Sequence, residues 1–388
     1  MSSREPLSRT FLFVINSLGA GGAERSLADL LPHLTGYRVR PVVVCFKSLA
    51  EGFEQEVRDA GTQVIILNAG SMPGRILQLR RILETERPSL LYTALFDAHI
   101  VGRFAAIGTG VPVLSNITNV AYDPARFADP NVNPHKLRVL RVIDAWTARH
   151  LTAHFHAVSN AVKESAVEHL GIDPGDVTVV YRGRGRGRLG MPGAERRRRV
   201  RDALGIDIDA PVVITVGRRE YQKGQRYLIE AVPELLERYP ALVVLIVGRD
   251  GHASNELDSL TRRLGVTSTV RFLGHRTDVG DLLAASDTFV FPSVYEGLGG
   301  ASLEALAMGL PLVVSDIPAL REVVIAGQNG TLVAPADAHD LAAGVADMLA
   351  DPELRRRYGE RSMALFEERF DATDAIPQSI DLMLRTAR

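Results

Sequence analysis

Val212-Val213-Ile214-Thr215-Val216-Gly217, with a helical pattern beginning at residue 225, is the stretch that decides the fold. Five β-branched residues in a row leave the strand without a polar face, so both of its faces must be covered. Such strands belong to parallel sheets packed between helices. The chain has used this pattern once already. Phe11-Leu12-Phe13-Val14-Ile15 leads through Gly19-Ala20-Gly21-Gly22 into a helical run over residues 23–34. Strands at 42–46 and 64–67 follow, with helical stretches at 75–86, 99–107 and 136–151. After residue 212 the rhythm restarts, with helices at 225–239, 255–264, 279–285 and 301–308 and strands at 242–247, 270–273, 288–291 and 312–314. One architecture begun twice predicts an α/β protein of two doubly wound, Rossmann-like domains. We place the first at residues 1–182 and the second at 183–370, with 183–211 as linker. Residues 371–388 read as a further helix.

Composition agrees. A chain of 388 residues with 46% hydrophobic content can fill two cores and is too apolar for disorder. Its formal charge of −1 provides no global field toward nucleic acid or an anionic membrane. The single cysteine, Cys45, can form no internal disulfide and reads as a small buried hydrophobe in a strand. The apolar stretch at 11–15 is too short for a signal peptide, and the run at 241–247 is too short to span a bilayer. A cytoplasmic location is expected, with peripheral contact to the inner membrane face left open. Residues 182–201 hold nine arginines and one acid, Glu195. Three readings stay open for that tract: a solvated linker running into a helix at 195–204, a positive rim that attracts phosphates, and an RNA-binding Gly/Arg segment.

Four loops carry chemistry. Gly19–Gly22 joins a strand to a helix, where glycines admit a ligand and the free N–H groups of the helix start meet an anion. It is neither the G-x-G-x-x-G fingerprint nor a P-loop, since Ala23-Glu24-Arg25-Ser26 stands where Gly-Lys-Ser/Thr would be needed. Arg218 and Lys223 place two cations on the loop after 212–216, an arrangement suited to a diphosphate. Gly248 and the strand edge at Phe272-Leu273 offer backbone groups to a flat base. The richest loop is Phe291-Pro292-Ser293-Val294-Tyr295-Glu296-Gly297-Leu298-Gly299-Gly300, with Glu304 in about the first turn of the helix that follows. Its glycines keep side chains away from the helix start, and the carboxylates of Glu296 and Glu304 can each accept two hydroxyl hydrogens. Alone, Glu304 also fits an acid that complements the helix dipole.

Together these residues resemble the retaining family-4 glycosyltransferases of the GT-B fold. The resemblance rests on Glu296 and Glu304 with seven residues between them, on Gly21-Gly22-Ala23-Glu24, and on Arg218 and Lys223. Gly309-Leu310-Pro311, Ser315-Asp316 and Asn329-Gly330 also match. It implies two domains facing a cleft, the first binding the acceptor and the second a nucleotide sugar, with the terminal helix crossing back to the first. It implies that Glu304 holds the donor ribose and that Glu296 contacts the transferred sugar. Arg218, Lys223 and the backbone of Leu298, Gly299, Gly300, Gly21 and Gly22 would neutralise the diphosphate, while Phe272 and Leu273 frame the base. Neither a metal nor a cofactor is implied, because those cations take the charge of the leaving group.

Two positions depart from the family. Thr118 stands where many members have a histidine, which leaves Asp97, Thr118 and Asn119 as acceptor-side candidates. Arg182-Gly183-Arg184 replaces an Asn-Gly-Val-Asp-like text, so Arg182 or Arg184 could reach the donor or an anionic acceptor. The acceptor itself is not legible. The run from Lys136 to Trp146 fits either an amphipathic surface for a lipid-linked acceptor or a core-facing helix with solvated arginines. A same-fold sugar-nucleotide enzyme that does not transfer and a non-catalytic nucleotide or RNA binder are the rival readings. No nucleic-acid partner is expected.

Overall fold

The computed structural model describes residues 9–387, which fall into two compact units. The first unit is built on a seven-stranded parallel sheet. Its strands are β1 (Arg9–Ile15), β2 (Val39–Cys45), β3 (Gln63–Ile66), β4 (Leu90–Ala94), β5 (Val113–Ile117), β6 (His154–Ala157) and β7 (Val177–Val179). Their order is β3-β2-β1-β4-β5-β6-β7. Helices α1 (Gly22–Leu30), α2 (Glu54–Asp59), α3 (Met72–Glu86) and α4 (Phe96–Ala105) fill the crossovers. The short α5 (Pro124–Phe127) lies in a segment, Asp123–Asn133, that groups with the second unit. The chain then returns to the first unit for α6 (Pro134–Leu151) and α7 (Asn160–Leu170).

The second unit has a six-stranded sheet with the order β10-β9-β8-β11-β12-β13. Here β8 is Val212–Val216, β9 Val243–Val247, β10 Val270–Gly274, β11 Thr288–Phe291, β12 Leu312–Ser315 and β13 Gly330–Val333. Its helices are α8 (Ala194–Leu204), α9 (Gln225–Arg238), α10 (Ser254–Arg263), α11 (Val279–Ala284), α12 (Gly300–Ala307), α13 (Pro318–Arg321), α14 (Ala338–Ala350) and α15 (Pro352–Arg369). The last helix, α16 (Ala372–Thr386), is part of the first unit.

Alternation along β1 shows why an unbroken apolar run was needed. Phe11, Phe13 and Ile15 join one core with Val43, Leu27 and the α16 residues Ile380 and Met383. Leu12 and Val14 point the other way, into a core with Val42, Leu79 and Ala98. Cys45 is fully buried in β2, and burial pushes its thiol up to about 12, so it stays protonated. Among the described residues, no helix is long and apolar enough to cross a membrane.

Several expectations change. The helix expected over 23–34 ends at Leu30 and continues as a tighter 3₁₀ turn, Leu31–Tyr37, with Pro32 in its first turn. Proline has no N–H to give to the preceding turn, so the α-helical ladder stops there. Strands β4, β5, β6, β7 and β13 escaped the sequence reading; β6 carries two histidines and β7 has three residues.

The arginine tract is the larger correction. Several of its guanidinium groups are consumed inside the second unit, so a purely solvated linker does not describe it. Arg201 is fully buried, bonding the carbonyl oxygens of Ala285, Asp207, Ile208 and Ala210 and pairing with Asp287. Arg196 and Arg197 pair with Asp281 and Asp287. The tract thus fastens α8 to the segment around α11.

Helix α6 was expected either to turn its apolar side to the core or to show it. It packs with Leu137, Asp144, Thr147 and Ala148, while Val139, Val142, Ile143 and Trp146 are exposed. The helix thus faces the core through Leu137, Thr147 and Ala148, with Arg138 and Arg149 exposed, and shows a second, apolar stripe outward. A buried ion pair, Asp144 with Arg103 at 2.6 Å, shares the inner face.

Candidate functional site

In the second unit, β8 pairs with β9 on one side and with β11 on the other. Chain connections leave the sheet in opposite directions at this point, which opens a crevice at the carboxyl ends of the two strands. The loops that follow β8 and β11 are stitched together there. Val294 N–H donates to Gln222 O at 2.9 Å, and Gln222 Nε2 donates to Tyr295 O at 3.0 Å. Gly224 makes this approach possible: its φ is +59°, and a Cβ there would stand 1.8 Å from Pro292 O.

Glu296 sits in this seam, only 6% exposed. Lys223 Nζ donates to its Oε1 at 2.5 Å, and Ser293 Oγ donates to the same oxygen at 3.0 Å. Both bonds fall on Oε1, which leaves Oε2 for a ligand. The ammonium carries three hydrogens and spends one on Glu296, so it too keeps donors for a ligand. It also lies over the Phe291 ring, 5.2 Å from its centre. The sequence names both residues as ligands of one donor; the structure shows that they also hold each other.

Arg218 remains on the surface, 70% exposed, with Glu220 at 3.9 Å. Its neighbour Arg219, which the sequence reading passed over, is the structural cation of this loop. Arg219 pairs with Asp250 and Asp258 and covers the Phe272 ring at 4.7 Å. Phe272 is thereby partly packed against the core, and Leu273 beside it is half-buried.

Helix α12 begins at Gly300, with Gly299 as its cap at φ +77° and Leu298 buried beneath. A Cβ on Gly299 would come within 2.9 Å of the Phe291 ring, so the cap is shaped by the core below it. No side chain caps this end of the helix. Glu304 is the fifth residue of α12, just past its first turn, and the first turn holds no acid. A carboxylate so placed interacts weakly with the helix dipole, which falls off within the first turn. Its side chain is 25% exposed, with Arg184 Nε 3.6 Å from Oε1. Arg184, one of the two departures from the family text, is itself only 5% exposed.

In the first unit, β1, β4 and β5 are adjacent, so the loops after them meet at one sheet edge. Gly21 and Gly22 open α1, with Gly21 extended at φ −100° and no side-chain cap. Asp97 lies in the first turn of α4 and accepts a bond from Asn16 Nδ2 at 3.1 Å. Asn119 Oδ1 accepts from Val120 N–H at 2.9 Å, and Thr118 beside it is half-buried. Sequence reasoning missed Leu95, which caps α4 at φ +76°, a strained value for leucine. His99 is buried, with Nδ1 2.8 Å from Thr93 Oγ1, and burial holds its imidazole well below the usual range.

Two family models match the chain: "Glycosyltransferase Family 4" over residues 20–184 and "Glycosyl transferases group 1" over residues 196–364. A D-inositol 3-phosphate glycosyltransferase of Catenulispora acidiphila is 34% identical over 360 residues, 88% of this chain and 78% of that protein. A glycosyltransferase of Methanocaldococcus jannaschii is 34% identical over 197 residues, so the match spans 50% of this chain and 50% of that relative. Among solved structures, HepE of Anabaena in complex with UDP and glucose superposes with a TM-score of 0.86 at 22% identity. That match covers 97% of this chain and 100% of the other, and it shows a shared GT-B fold.

Proposed function

The chain belongs to the family-4, group 1 glycosyltransferases, and from that premise we propose that it transfers a sugar from a nucleoside-diphosphate sugar to an acceptor hydroxyl with retention. The observation that carries this reading is the buried Glu296, fixed among the described residues by Lys223 and Ser293, both through Oε1. A carboxylate held in this way has one oxygen oriented for the hydroxyls of a sugar. The ammonium that fixes it would meet the charge on the diphosphate as the glycosidic bond breaks.

Arg218, at the exposed rim of the same loop, adds a second cation. The N–H groups at Leu298, Gly299 and Gly300 supply oriented donors at the start of α12. Gly21 and Gly22 open α1 without a side-chain cap, and their N–H groups are proposed to take a phosphate of the donor. Glu304 takes the ribose diol, and Phe272 and Leu273 flank the base. The leaving diphosphate departs from the face that the acceptor enters, which gives retention without a covalent enzyme intermediate. The cations do the work of a metal, so donor hydrolysis should persist in a chelator. Solved relatives were captured with UDP and with UDP-glucose, so uridine donors are the first to try. Asp97, Thr118 and Asn119 are proposed to line the acceptor side.

The test is a panel of nucleotide sugars scored by thermal shift and by slow donor hydrolysis. We expect Glu304→Ala to weaken donor binding about tenfold or more, as loss of a charged hydrogen bond does. Arg218→Ala and Lys223→Ala should mainly lower turnover. No donor bound or hydrolysed, or unchanged kinetics in all three variants, removes the proposal.

A further inference from the structure

Helix α6 carries two opposed faces whose chemistry does not match. The inner face is settled by Leu137, Thr147, Ala148 and the Asp144–Arg103 ion pair, which Tyr122 completes by donating its hydroxyl hydrogen to Asp144 Oδ2 at 2.8 Å. The outer face is apolar. Val139 is 59% exposed, Val142 66%, Ile143 40% and Trp146 48%. These positions recur at the i, i+3, i+4, i+7 spacing of one helical stripe. A soluble monomer gains nothing by presenting such a stripe to water.

The borders of the stripe say what covers it. At 100° per residue, Arg138 and Arg149 flank it on one side and Lys136 on the other, all three exposed. The helix has one acid, Asp144, and that acid faces inward, buried and paired. The surface of α6 is therefore apolar and purely cationic on a chain whose formal charge is −1. The local field is a property of this helix and not of the molecule.

We propose that α6 lies flat on an anionic lipid surface, with Val142 and Trp146 entering the boundary between head groups and acyl chains and with Arg138, Arg149 and Lys136 on the phosphates. Arginine and lysine stems can follow the apolar surface while their charges stay at the head groups, and an indole is at home at that depth. A protein partner would need an acidic, apolar groove, and a second copy of this chain would set like-charged borders against each other. The inference goes beyond the transfer reaction and does not depend on the donor.

Trp146 is the only tryptophan of the chain, so the unaltered protein reports on its own stripe. Vesicles of phosphatidylglycerol mixed with phosphatidylcholine should shift its emission to shorter wavelength, shield it from iodide and pellet the protein. Pure phosphatidylcholine should do none of this, and raising the salt should weaken the effect. Val142→Glu with Trp146→Glu, and separately Arg138→Glu with Arg149→Glu, should each lower partitioning about tenfold or more. Both pairs are exposed, so circular dichroism, melting temperature and donor-sugar binding should be retained. No spectral change and no pelleting of the unaltered protein with anionic vesicles overturns the proposal. Equal pelleting of the variants overturns it as well. So does a dimer in sedimentation velocity that Trp146→Glu dissolves without any vesicle binding, since the stripe would then belong to a second copy.

Discussion

Arg184 lies at the start of the arginine tract, and its backbone N–H donates to Phe370 O at 2.9 Å. Its guanidinium faces Glu304 with Nε and Oε1 3.6 Å apart, too far for a direct hydrogen bond and close enough for a charge pair. A buried cation in that position orients the carboxylate proposed to take the ribose. Arg184→Ala should therefore raise the donor KM about tenfold, with a smaller change in kcat, and Arg184→Lys should recover part of the loss. An unchanged KM in the alanine variant would leave Arg184 as a brace for the backbone at Phe370. At this scale the sequence singled out Glu296, Glu304, Arg218 and Lys223 as candidates, because residue type and loop context mark them. Who pairs with whom was not legible. Lys223 and Glu296 are 73 positions apart, and only folding sets their separation.

At the scale of elements, the β8 and β11 loops meet because Gly224 lets them. Its φ of +59° strains any other residue, and a Cβ would also collide with Pro292 O at 1.8 Å. Gly205 shares the angle, at +60°, with nothing within 4 Å of its missing Cβ. Gly205→Ala should thus lose only about 1–2 kcal/mol, the strain of a left-handed alanine. Gly224→Ala should lose distinctly more, above about 3 kcal/mol, because backbone must move as well. Denaturant midpoints of the two variants decide it, and equal losses would show that the seam is looser than the contact implies. Strands buried on both faces, such as β1 and β8, declare themselves by composition. A three-residue strand such as β7 cannot, since it is held by pairing with β6 and not by its own pattern. The outward stripe of α6 was readable as an amphipathic pattern. Its direction was not, because a helix wheel does not say which face meets the core.

For the whole molecule, acid is the revealing variable. His156 is buried in the first unit, where burial lowers its pKa from 6.5 to about 4, and His99 is lowered by burial too. Between these values the unfolded chain binds a proton at His156 that the folded chain refuses. Stability is therefore complete above about pH 6.5 and falls as pH drops toward 4, by about 3 kcal/mol from His156 alone. Melting temperature should decline through that window, and His156→Gln should flatten the decline. An identical slope in the variant would show that the histidine titrates freely in the folded state. The sequence by itself determined the two restarts of a covered parallel sheet, since runs such as 212–216 admit no other setting, and it named the residues proposed for the donor side. Tertiary structure alone decided that Lys223 and Glu296 lock together, that Arg201 is buried in the second unit, and that α6 turns its apolar side outward. These are contacts between positions far apart in the chain, and local propensity and residue type do not specify them.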